Sequence, residues 1–100
     1  MFARVNTFSG PPDEIDAAVA NIRNHVIPAA KQIPGFAGMV SLVDRETGKS
    51  IGITLWQSLE ALRQSEEAAS RIRNQASQTD GSTIVSVERY EVADLVLDGK

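Results

Sequence analysis

The chain of 100 residues has no cysteine and a single histidine, His25. The first absence excludes disulfides, thiolate metal centres and cysteine nucleophiles. The second leaves no partner imidazole for a His-based metal triad, so no bound metal is expected. No stretch approaches the ~20 apolar residues that a membrane helix needs. The opening MFARVNTFSG has no apolar run of signal-peptide length. A cytoplasmic protein without membrane contact is therefore the expectation. Lys and Arg never run together, and ten of them face thirteen acidic residues for a net charge of −3. Nucleic-acid binding needs a clustered positive surface, so it is not expected. The common phosphate, dinucleotide, hydrolase-elbow, zinc-protease and calcium motifs are all missing.

What is present reads as one α+β domain over residues 1–100, with its core at about 2–92. FARVNTFS alternates, with Phe2, Arg4, Asn6 and Phe8 on one face and Ala3, Val5 and Thr7 on the other, a first strand. GPPDEID stops it and opens a helix whose acidic residues suit the positive end. Ile15, Ala18, Val19, Ile22, Val26, Ala29 and Ala30 form its core-facing stripe up to about Lys31. Pro28 lacks a backbone donor and is expected to bend or end the helix near its last turn. A second strand spans about Phe36 to Val43. DRETGK is a turn around Gly48, and SIGITLWQ is a third strand. Ser58 caps a second helix with Leu59, Leu62, Ala69, Ile72 and Ala76 on one stripe, interrupted by an expected kink at Ser65-Glu66-Glu67. SQTDGS reads as a loop and TIVSVERYEV as a fourth strand.

The order βαββαβ is that of a ferredoxin-like domain, a four-stranded antiparallel sheet with both helices on one side. Nothing remains to cover the second face, although apolar residues occur in both registers of three strands. Beyond it, VADLVLDGK adds Leu95, Val96 and Leu97. Exposed apolar surface of this kind marks an interface. The expectation is a homodimer closed sheet against sheet, with the tail 93–100 contacting the partner.

Few residues carry chemistry. His25 titrates near neutral pH, yet it sits at the edge of an apolar stripe and reads first as a boundary helix residue. Trp56 reads as core packing or as the wall of a pocket for a flat ligand, with Thr54 on the same face. Asn6 interrupts a strand that disfavours Asn; it bonds either a ligand oxygen or a neighbouring backbone group. Tyr90 either caps a pocket or serves an interface. Arg63, Arg71 and Arg73 read as solvated, with one able to reach an anionic substrate.

PGFAGM after the first helix, GITLWQSLEAL at the strand-to-cap junction, SEEA and VSVERYEV together resemble the antibiotic biosynthesis monooxygenase-like family of dimeric α/β-barrel proteins. The resemblance covers roughly Phe2 to Val92. It implies a dimeric α/β barrel and cofactor-independent monooxygenation of a small aromatic or phenolic substrate, with catalytic roles for Asn6 and His25 and a substrate pocket of Trp56, Thr54 and Tyr90. A haem-degrading branch of the same family needs Trp and His near positions 65 and 74, where this chain has Ser65 and Asn74. The remaining alternative is a non-enzymatic dimer that binds a small molecule.

Overall fold

The computed structural model describes residues 1–99. Four strands, β1 (Phe2–Ser9), β2 (Phe36–Val43), β3 (Lys49–Trp56) and β4 (Thr83–Glu91), form one antiparallel sheet in the order β2-β3-β1-β4. The β1–β2 crossover consists of a 3₁₀ turn (Pro12–Glu14), α1 (Ile15–Asn21), a π-helical turn (Ile22–Val26) and α2 (Ile27–Lys31). The β3–β4 crossover consists of α3 (Leu59–Gln64) and α4 (Glu66–Asp80). This is the expected ferredoxin-like α+β fold.

Local chemistry sets the boundaries. The Ser58 hydroxyl accepts the Ala61 N–H at 3.0 Å and starts α3. The first helix is irregular just before Pro28, in the π turn where the Ile27 N–H reaches back to the Ile22 carbonyl, and it ends three residues after Pro28, at Lys31. The break expected near Ser65 separates α3 from α4. The SQTDGS loop is shorter than its composition implies. Helix α4 runs through to Asp80 and stops at Gly81, whose φ of 73° supplies a left-handed cap.

Two glycines are required by their surroundings. Gly48 has φ 81° in the β2–β3 turn, and a side chain there would overlap the Gly10 carbonyl oxygen. Gly35, in the PGFAGM stretch, has φ 85° and lies against the Ala61 side chain of α3. Its carbonyl accepts the Gln57 N–H at 2.9 Å, which ties the end of the first crossover to the end of β3.

Strand alternation gives the sheet two faces of different character. Arg4, Asn6, Thr54 and Trp56 face the helices. Val5, Ile53, Val40, Leu42 and Tyr90 face away, and no element among the described residues covers them. Leu42 and Tyr90 are about half exposed, and in the tail Val96 and Leu97 are more than four-fifths exposed. The tail's last residue, Lys100, lies outside the described residues. No helix among the described residues is long and apolar enough to cross a membrane.

Candidate functional site

Between the helices and the inner sheet face lies a cavity of about 80 Å³. Its body is aliphatic, with Ile22, Val26 and Ile33 from the first crossover and Ile72 from α4. Its other wall is the sheet, where Arg4, Asn6, Thr54 and Trp56 stand side by side on β1 and β3.

Trp56 is almost completely enclosed. Its indole Nε1–H donates to the Thr54 hydroxyl at 3.0 Å, and its ring meets Phe36 edge-on at 5.8 Å. The Arg4 guanidinium lies 5.5 Å from the ring centroid. Trp56 is at once a core residue and part of the cavity wall. With its oxygen occupied as acceptor, the Thr54 hydroxyl keeps its own proton free to donate.

Asn6 is engaged on both sides of its amide. Nδ2 donates to the Gly52 carbonyl at 3.1 Å, and Oδ1 accepts from Nη1 of Arg73 at 3.2 Å. A backbone partner thus explains an Asn in mid-strand, and one amide N–H remains. The second bond brings a helix-α4 arginine over the sheet. Arg73 is half-buried on the cavity wall, while Arg71, two residues earlier, is solvated and paired with Glu67 at 2.9 Å. Of the three helix-two arginines, Arg73 is the one on the wall of this cavity.

Arg4 is the residue that sequence reading missed. An arginine in an alternating strand looks like a solvent-facing residue, but this one is buried. Its Nη2 donates to the Leu62 carbonyl at 3.0 Å and to the Ser65 hydroxyl at 2.9 Å, and it pairs with Glu66 at 2.8 Å. Arg89 makes a two-pronged bond to the same carboxylate at 2.8 and 2.7 Å. Arg89 first, and Arg4 with it, pull the Glu66 carboxyl down to about 2. A Ser and a Glu at a helix break, opposite an Arg on the face that carries Asn6, were the available signal.

Two expected site residues lie elsewhere. His25 is in the π turn, on an outer groove beside Asn21, Asn24 and Gln75, and does not line the inner cavity. The cause is the helical period, which turns position 25 outward while Ile22 and Val26 face the sheet. Tyr90 pairs with Ala3 on the outer sheet face, half exposed, because alternation puts it opposite to Asn6 and Trp56. No group of three or more His, Asp or Glu side chains converges on a metal-sized site among the described residues.

Solved structures share this architecture across the whole chain. HapK from Hahella chejuensis superposes with a TM-score of 0.75 at 9% identity, over 99% of this chain and 100% of that one. SnoaB, a cofactor-independent oxygenase from Streptomyces nogalater, superposes at 0.66 with 19% identity, over 98% and 97%. A monooxygenase from the gene ActVA-Orf6 of Streptomyces coelicolor, solved with nanaomycin D, superposes at 0.70 with 16% identity, over 98% and 92%. The chain has the antibiotic biosynthesis monooxygenase-like fold. At such identities the likeness shows the fold alone. In sequence, the uncharacterized proteins Rv2558 and Rv2557 of Mycobacterium tuberculosis are 35% and 33% identical over 93 residues. These cover 93% of this chain but 39% and 41% of theirs, so the chain spans about two-fifths of the curated relatives it matches. No protein-family model matches.

Proposed function

We propose that the inner cavity of this monooxygenase-like fold is the substrate site of a cofactor-independent monooxygenase acting on a small aromatic or phenolic molecule. The observation that carries the reading is the cavity's polarity: an aliphatic body ending at Asn6, Thr54 and Arg73. Such a site holds a ring in its body and an oxygen anion at its pole. The donors stabilise the phenolate and raise the acidity of the bound phenol. The phenolate then passes one electron to O₂. The resulting radical and superoxide recombine to form a C–O bond. The peroxide takes up a proton, and loss of the carbon-bound hydrogen with cleavage of the O–O bond gives a carbonyl and water. The protein's work is to bind the anion, exclude water and hold the ring. His25 takes no part, since it opens on the other groove.

The outer sheet face completes the proposal. Val40, Leu42, Ile53 and Tyr90 on that face, with the exposed tail, fit a second copy of the chain, closing two sheets into a dimeric α/β barrel. The domain spans 1–100 in this reading.

The test is oxygen uptake with a panel of small phenols. Uptake is expected with at least one, and Asn6→Ala is expected to reduce it about 10²–10³-fold by releasing Arg73 and removing an amide donor. No uptake across the panel, or full activity in Asn6→Ala, rejects the assignment. A second reading, a binding module without turnover, draws on the cavity's small volume. Tight binding of a phenol without oxygen uptake identifies it.

A further inference from the structure

Charge at the polar end of the cavity does not balance. Three guanidiniums, Arg4, Arg73 and Arg89, lie near one carboxylate, Glu66, which is ion-paired with Arg4 and Arg89. Glu66 is fully taken up by Arg4 and Arg89. Arg73 has no carboxylate partner among the described residues. It is held by Nη1 alone, on Asn6. Its remaining edge, Nε and Nη2, presents two parallel N–H groups and has no hydrogen-bonded protein partner among the described residues. Burial, and then the positive charge of Arg4, make the Arg73 cation harder to hold. Arg4 adds to the deficit, since its own Nε and Nη1 are enclosed without a hydrogen-bond acceptor. The one carboxylate on the cavity wall, Asp80, is two helical turns or about 10 Å further along α4, where it accepts the Ser82 N–H.

A single phenolate oxygen uses one N–H. A carboxylate matches both prongs of a free guanidinium edge. Volume restricts the rest of the ligand. An apolar cavity that takes one benzene ring measures about 150 Å³, roughly twice the space here. The unbranched Met39 side chain and the Arg73 stem are the flexible parts of the wall. An occupant of one ring needs them to move. Three fused rings require the helices to part from the sheet.

We infer that Arg73 is the specificity residue of this cavity, and that its ligand is a small carboxylate with an apolar body of about one ring, bound to the Nε–Nη2 edge with Asn6 holding the guanidinium in place. This rests on the proposed reading of the cavity as the substrate site and narrows its substrate to carboxylate-bearing single rings.

The test uses the intact chain and three probes: cyclohexanecarboxylate, its neutral amide, and anthracene-9-carboxylate. Calorimetry gives affinities. Fluorescence of Trp56, the chain's one tryptophan, reports whether the first two probes enter the cavity. Cyclohexanecarboxylate is expected to bind about tenfold or more tighter than the amide and also tighter than the tricyclic acid. Arg73→Gln is expected to bring the affinity for the acid down to that for the amide, and Arg73→Lys to keep part of the preference. Equal binding of acid and amide with a Trp56 response overturns the inference and leaves the cavity reading standing. An Arg73-dependent acid preference without oxygen uptake by any phenol does the reverse. Tricyclic binding as tight as monocyclic overturns the size limit, and no binding of any probe overturns both.

Discussion

The two faces of the sheet differ in what they carry. The face covered by helices carries Arg4, Asn6 and Thr54 among apolar side chains such as Phe8, Met39 and Trp56. The face left open carries Val5, Val40, Leu42, Ile53 and Tyr90. In an isolated antiparallel sheet packed on one side, the apolar residues belong beneath the helices and the polar ones in water. Burying polar groups costs free energy unless they are hydrogen-bonded. Here they bond one another: Arg4 to Ser65 and Glu66, Asn6 to Arg73, Trp56 to Thr54. The inner face is a bonded polar wall around a cavity, and the outer face is left open with apolar residues on it.

If the inner face is also the core, Trp56→Ala should produce the largest loss, about 3–5 kcal/mol, read from urea unfolding. A loss under about 1 kcal/mol would mean that the aromatic lines a cavity without holding the fold. Arg4→Met keeps the bulk and removes the charge. Glu66 retains Arg89, so the expected cost is smaller, about 1–3 kcal/mol for the polar groups left unmatched. A more stable Arg4→Met protein would show that the buried guanidinium is kept for the site and not for folding.

The same cluster predicts an acid limb. The Glu66 carboxyl is lowered from 4.5 to about 2 by Arg89 and Arg4. A depressed folded value means that its contribution is complete above pH 4.5 and is lost as pH falls toward 2. Because the side chain is 35% exposed, solvent screens part of that contribution. Thermal melts of wild type should decline through this window more steeply than those of Glu66→Gln. Superimposable pH profiles would remove Glu66 from the account.

The outer face should give the smallest effect on folding and a clear one on mass. Leu42→Glu adds a charge where the side chain is already half exposed, so the domain's own stability should move by no more than about 0.5 kcal/mol. Light scattering at micromolar concentration should give twice the 10.8 kDa chain mass for wild type and a single chain mass for Leu42→Glu. A wild-type monomer would end the comparison, since the apolar face would then be tolerated in water.

Helix and strand periodicities determined most of the fold. The alternation of β1 and β3, the Ser58 cap, the break at Ser65 and the turn at Gly48 are all local signals, and each is found where the residues put it. The open apolar face was also legible, because alternation assigns residues to faces before any packing is known. Composition misled at SQTDGS, where helical hydrogen bonds outlast the polar residues to Asp80. The membership of the site was decided by tertiary structure. His25 and Val26 are neighbours in sequence, yet the helical period sends one outward and the other to the cavity. Arg71 and Arg73 are two residues apart on one helix, and only the position of the sheet gives Asn6 to the second. Sequence supplies the residue types and their spacing along one element. Which cation loses its solvent and meets a partner 67 positions away depends on how the elements pack, and that is set by the whole core at once.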